Sequence, residues 1–136
     1  MSWREFDIWA ASLCAWREAR GEGGADANAK RDSLRAVIHV IKNRADKSGK
    51  SWAYEVFRRL QFSSMTYPHD PQLCLVPEQP DSVFTDCFEI ATTIMDGGDF
   101  DLTQGATHYF ADTIPMPEWA KTMTQTAKFG HHIFFK

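Results

Sequence analysis

The chain is 136 residues long, 43% hydrophobic, and carries a formal charge of −3, which fits one domain over residues 1–136 with enough apolar side chains for a single core. No dense basic run is present, so the electrostatic footprint of a nucleic-acid or anionic-membrane partner is missing, and no apolar stretch is long enough to insert across a bilayer. Three scattered cysteines, Cys14, Cys74 and Cys87, suit neither a disulfide framework nor a zinc ribbon and leave at most one optional bridge.

A first helix is predicted over residues 5–20. Phe6, Trp9, Leu13 and Trp16 fall on one stripe at three-to-four spacing, while Ala11, Cys14 and Ala15 fill much of the opposite side. A helix apolar on both sides belongs at the centre of a fold. Gly21, Gly23 and Gly24 then let the backbone leave it through the left-handed region. Asp26 or Asn28 caps a second helix reaching about residue 44, with Leu34, Val37, Ile38, Ile41 and Ala45 inward and Lys30, Arg31, Arg35 and Lys42 in water. His39 is read as a partly exposed helix histidine without a role. After a turn at residues 46–50, Ser51 caps a short third helix containing Val56, Phe57 and Leu60, and residues 61–64 lead out of it.

Residues 65–80 hold four of the six prolines and no periodicity, which predicts a long ordered or semi-ordered loop. Asp81 or Ser82 caps the next helix, with Phe84, Cys87, Phe88, Ala91, Ile94 and Met95 inward and Gly97 with Gly98 as its stop. Residues 103–110 and 130–135 are rich in β-branched and aromatic side chains and read as short strands. A turn and a short helical segment at residues 115–120 separate them. Helices first and a small sheet late make an α+β plan, mainly helical.

Acid chemistry is concentrated at Glu18-Ala19-Arg20-Gly21-Glu22. Glu18 falls in the last helical turn, where the negative end of the helix dipole disfavours a second negative charge. Directed into a cleft, it would also be desolvated, and both effects raise a carboxyl pKa until the group can donate a proton near neutral pH. Glu22 lies within the glycine stretch and is less firmly held, so Glu18 ranks first. Glu22 is expected to tie the glycine turn to an arginine and is counted among the substrate-binding residues. Arg17 and Arg20 equally allow an ordinary surface ion pair with either carboxylate.

Four separated patterns follow one another: Glu18-Ala19-Arg20-Gly21-Glu22, Gln61-Phe62-Ser63, Gly105-Ala106-Thr107-His108-Tyr109-Phe110 and Gly130-His131-His132-Ile133-Phe134. Ala36-Val37-Ile38 and Asn43-Arg44 come after the first, and Pro117-Glu118-Trp119-Ala120 before the last. In that order they resemble the SleB-type cell wall hydrolase family, the spore cortex-lytic enzymes and their phage and prophage relatives, over residues 13–135. The resemblance implies a lysozyme-like catalytic domain that cuts the glycan strands of peptidoglycan between N-acetylmuramic acid and N-acetylglucosamine. It further implies a lytic transglycosylase that leaves a 1,6-anhydro sugar, with its single catalytic acid at Glu18 and Tyr109 as a substrate contact. Residues 47–50 and the proline-rich loop depart from the family pattern, which leaves the outer subsites open.

Why one acid is enough follows from chemistry. Ordinary glycosidases use two carboxyl groups, but a substrate that supplies its own nucleophile, the C6 hydroxyl of muramic acid, brings an effective concentration on the order of 10⁵ M. Gln61 and Ser63 are placed in the cleft to bind acetamido or hydroxyl groups, against a role in satisfying their own turn. Thr107 and His108 alternate across a strand, so at most one of the two faces the site. Tyr109 is balanced between cleft and core, and Trp119 between packing and sugar stacking. The reading needs no cofactor and no metal.

Rival readings come from other classes. A zinc amidase or peptidase would draw ligands from His108, His131 or His132, but no H-E-x-x-H occurs and neighbouring strand residues point to opposite faces. A non-catalytic glycan-binding module would use the five tryptophans, ten phenylalanines and three tyrosines as sugar platforms. A hydrolytic muramidase acting on the same bond would need a second carboxylate, with Asp99, Asp101 and Asp112 as candidates. The expected partner is the peptidoglycan glycan, met by a monomer. An acidic start without a secretory signal suggests a phage or prophage endolysin, cytoplasmic until a holin opens the inner membrane, with a bacterial enzyme exported by another route as the alternative.

Overall fold

A computed structural model describes residues 1–59 and 61–136; Leu60, expected in the third helix, lies outside the described residues. Helix α1, Trp3–Ala19, opens on a capping box in which the Ser2 hydroxyl accepts from the Glu5 amide and the Glu5 carboxylate accepts from the Ser2 amide. Its small-residue side is the most deeply buried: Ala10, Ala11, Cys14 and Ala15 are all 0% exposed. Small side chains let neighbouring helices approach closely, so α1 runs through the middle of the fold. The aromatic stripe splits. Leu13 and Trp16 are core, whereas Phe6 and Trp9 stack on each other at the margin and Phe6 meets the exposed Phe57.

Helix α2, Ala27–Ser48, is capped by Asp26, whose carboxylate accepts from the Asn28 and Ala29 amides. It buries all five residues of the predicted stripe and runs a turn beyond the predicted end, stopping at Gly49 with φ +73°. Two side chains read as solvated are not. His39 is 2% exposed because Asp99 reaches back to it, its Oδ2 2.8 Å from His39 Nε2. The same carboxylate takes two bonds from Arg35, at 3.0 and 2.8 Å. A helix pattern carries no sign of an acid sixty residues away.

Helix α3, Trp52–Phe57, is capped by Ser51. Residues expected to lead out of it instead begin α4, Ser63–Thr66. Helix α5, Ser82–Met95, is capped by Asp81, which also accepts from the Trp16 indole at 3.2 Å and so joins α5 to α1. Its buried arc is Cys87, Ile90, Ala91 and Ile94. Phe88, expected inward, is 38% exposed, since one residue turns a helix by about 100° and carries it off that arc. All three cysteines are free, and Cys14 and Cys87 pack as buried apolar groups. Helices α2 to α5 all contact α1. Among the described residues no helix is long and apolar enough to cross a membrane.

Three strands complete the α+β fold: β1, His108–Ala111, β2, Gln125–Phe129, and β3, His132–Phe135. They form one antiparallel sheet ordered β1-β3-β2, with Tyr109 opposite Phe134 and Phe110 opposite Ile133. The first predicted strand starts late because Asp101 claims its beginning for a turn, accepting from Thr103 N and Oγ1 and from Gly105 N. Strand β2 was not anticipated, for its Gln, Thr and Lys positions lack apolar alternation. Gly130, read as strand, is the hairpin turn between β2 and β3, with φ +57°. A 3₁₀ segment, Glu118–Thr122, precedes β2. Phe134 enters the helical core, while Phe110 and Phe135 stack in a smaller cluster with Ala120 and Trp119.

Candidate active site

The end of α1, the start of α4 and strand β1 meet around a cleft of about 540 Å³ whose lining includes Glu18, Gln61, Ser63, Tyr109, Trp119 and His132. Glu18 lies one helical turn beyond the buried Cys14, on the small-residue side of α1. Burial pushes its carboxyl above the usual carboxylate range. Hydrogen bonding from Tyr109 and the polar groups of Ser64 act downward, and the charge of Asp70 acts upward. The Tyr109 hydroxyl donates to Glu18 Oε1 at 2.7 Å.

Tyr109 fills both roles the sequence left open. Its ring packs against His132 at 4.9 Å, Phe134 at 5.3 Å and Phe62 at 6.3 Å, and its hydroxyl emerges at the acid. Burial, followed by the adjacent Glu18 charge, holds the phenol far above its ordinary pKa, so it remains a donor. Arg17 and Arg20, read as potential partners of the two glutamates, are engaged elsewhere. Arg17 crosses to the carbonyls of Leu75 at 2.9 Å and Ser64 at 3.1 Å, and Arg20 lies 4.0 Å above the Trp16 ring. Among the described residues, desolvation of Glu18 therefore acts without an ion-paired arginine to offset it.

Glu22 corrects an expectation: its Oε2 accepts from the His131 amide at 3.0 Å, so it braces the β2–β3 hairpin and not an arginine. It is not part of the cleft lining. Thr107 and His108 also depart from the expected alternation. Thr107 precedes β1, its hydroxyl lies 2.9 Å from His108 Nδ1, and both residues line a neighbouring chamber. Gln61 and Ser63 do line the cleft, and Trp119 combines both expected positions, lining the cleft while packing edge-on against Phe110 and Phe135.

The three aspartates considered as a second carboxylate are all committed away from Glu18. Asp99 holds Arg35 and His39, Asp101 the turn before β1, and Asp112 pairs with Lys128 and His131. His131 is exposed at the hairpin, whereas His132 is buried in the strand with its pKa lowered by burial. Among the described residues no three His, Cys, Asp or Glu side chains gather where they could hold one metal ion.

Three contributors escaped the sequence reading. Arg44 bonds the Thr107 carbonyl at 2.6 Å and the Gln61 side chain, and so fixes the cleft wall. Ser64, one residue past the favoured Ser63, is the serine that sits beside the Glu18 carboxylate. His132 supports the Tyr109 ring. Asn43-Arg44 and His132 lie within the quoted patterns and Ser64 directly after one, but spacing alone does not tell wall from surface.

The profile described as Cell Wall Hydrolase matches residues 29–135. The chain belongs to the cell wall hydrolase family. The fold of this cell wall hydrolase is similar to the catalytic domain of the Bacillus cereus SleB protein, at 25% identity and a TM-score of 0.72, covering 100% of this chain and 92% of that one. It is equally similar to the catalytic domain of the germination-specific lytic transglycosylase SleB from Bacillus anthracis, at 25% identity and TM-score 0.71, covering 100% and 97%. No curated protein matches the chain. The profile match begins after Glu18, but the structural likeness spans the whole chain and includes the helix that carries the acid.

Proposed function

We propose that this cell wall hydrolase is a lytic transglycosylase, cutting peptidoglycan glycan between N-acetylmuramic acid and N-acetylglucosamine with Glu18 as its only acid and base. One observation carries the reading: Glu18 is the single carboxyl group lining the cleft among the described residues, its pKa raised by burial and its carboxyl aimed by Tyr109. The printed name of the Bacillus anthracis relative supports the same outcome.

Glu18 gives its proton to the departing glycosidic oxygen. Ionised, it then takes the proton of the muramic acid C6 hydroxyl as that oxygen attacks C1, which closes the 1,6-anhydro ring and restores the acid. The nucleophile is already held by the sugar itself, so no water need be activated by a second carboxylate. Tyr109 keeps the carboxyl oriented and steadies its ionised form between the two transfers, while Gln61, Ser63 and Trp119 contact the sugars.

Glu18→Gln tests this directly. The amide keeps size and polarity but has no proton to transfer, so clearing of purified sacculi falls by about a thousandfold while the fold, followed by circular dichroism, is kept. Clearing retained within a few-fold of wild type would refute the assignment.

A further inference from the structure

Beside the cleft of the acid lies a second chamber of about 370 Å³, whose lining includes Arg44, Lys47, Glu55, Arg58, Gln61 and His108. A hollow of about 210 Å³ shares Arg44 and Gln61 with both, Tyr109 and Trp119 with the first and His108 with the second. The three form one continuous surface leading away from Glu18.

The charges of the second chamber do not balance. Glu55 is 0% exposed, both of its carboxylate oxygens lack a hydrogen-bond partner among the described residues, and Arg58 Nη1 stands 3.8 Å away. A buried carboxylate without hydrogen bonds is tolerated only beside compensating cations, and it holds Arg58 in the wall in return. Arg44 and Lys47 remain, and among the described residues Lys47 makes no ion pair or hydrogen bond. Burial and these two cations together push His108 below its usual pKa, so the histidine adds no charge of its own at neutral pH. The wall therefore carries an excess of two positive charges. Lys47 also belongs to residues 47–50, the stretch that departs from the family pattern.

In intact peptidoglycan the lactyl carboxyl of muramic acid is tied up as an amide, so the sugars themselves are neutral and make no use of such an excess. The anionic part of peptidoglycan is the short peptide borne by muramic acid, with its free carboxylates. We propose that the second chamber receives this peptide stem on the muramic acid next to the cut, with Lys47 meeting a stem carboxylate. The inference rests on the glycan-cutting reading and adds a substrate preference: strands that carry stems over strands stripped of them.

The test uses soluble uncrosslinked glycan strands, either bearing stems or stripped of them by an amidase with the lactyl carboxylates so exposed then capped as amides, with cleavage rates read from released sugar ends. Wild type cleaves stem-bearing strands with a kcat/KM about tenfold higher, the scale of one or two well-formed charge contacts, and the difference sits in KM. In Lys47→Gln the ratio between the two substrates falls towards one. Equal efficiency of the wild type on both strands, or a ratio unchanged in Lys47→Gln, overturns the stem site while leaving the glycan reading intact. Failure to cleave either strand overturns both.

Discussion

At the scale of single residues, function rests on a conflict resolved inside one hydrogen bond. Burial drives the Glu18 carboxyl up and Tyr109 draws it partly back, a compromise suited to a group that must give a proton and retake it. Tyr109→Phe removes the donor that favours the ionised form, so the carboxyl pKa rises further. The falling limb of the pH–rate profile then shifts to higher pH, and kcat drops about 10- to 100-fold as the carboxyl loses its orientation. A limb that stays in place would mean the bond does not tune the acid. The same shift appears in stability. A group whose folded pKa is raised contributes fully below its unfolded value, about 4.3 for glutamate, and that contribution is lost as pH rises through the folded pKa. Relative to Glu18→Gln, wild type therefore loses urea stability across that window. Parallel pH–stability curves for the two proteins would contradict a desolvated Glu18.

At the scale of elements, α1, α2, α3 and α5 were legible because local chemistry specifies them, while α4 was not. Ser2, Asp26, Ser51 and Asp81 all cap where their side chains can reach free amides, and the α2 stripe buries as its spacing requires. Gly23 shows how tightly the turn after the acid is built: at φ +84°, a Cβ there would lie 2.4 Å from Lys30 N and 2.7 Å from its Cα. Backbone cannot yield as a side chain does, so Gly23→Ala costs about 3 kcal/mol or more in urea unfolding. A loss below about 1 kcal/mol would show that α2 can shift. Contacts between distant segments were not legible. Asp99 gathers Arg35 and His39 from α2, and no pattern on α2 announces it. Asp99→Ala leaves His39 buried without its partner and lowers stability by about 2–3 kcal/mol, read from the urea midpoint at unchanged m-value. Strand β2 escaped for the same reason, since its extended form comes from pairing with β3 and not from its own composition.

At the scale of the molecule, the helices supply a rigid floor and the small late sheet supplies the wall that faces it. Glu18 comes from the end of the central helix and Tyr109 from the first strand, 91 residues later, so the site exists only once both layers are packed. The sequence patterns marked both residues, and the fold explains why they belong together. Chelation with EDTA leaves lysis unchanged on this account, because every proton passes through Glu18; loss of activity restored by zinc would return the amidase reading. The central claim, that one carboxyl group suffices because the sugar attacks itself, is tested most directly by mass spectrometry of the soluble products from purified sacculi. The account predicts fragments ending in 1,6-anhydro-muramic acid, lighter by one water than hydrolytic products. Fragments ending in reducing sugars with water added would contradict it.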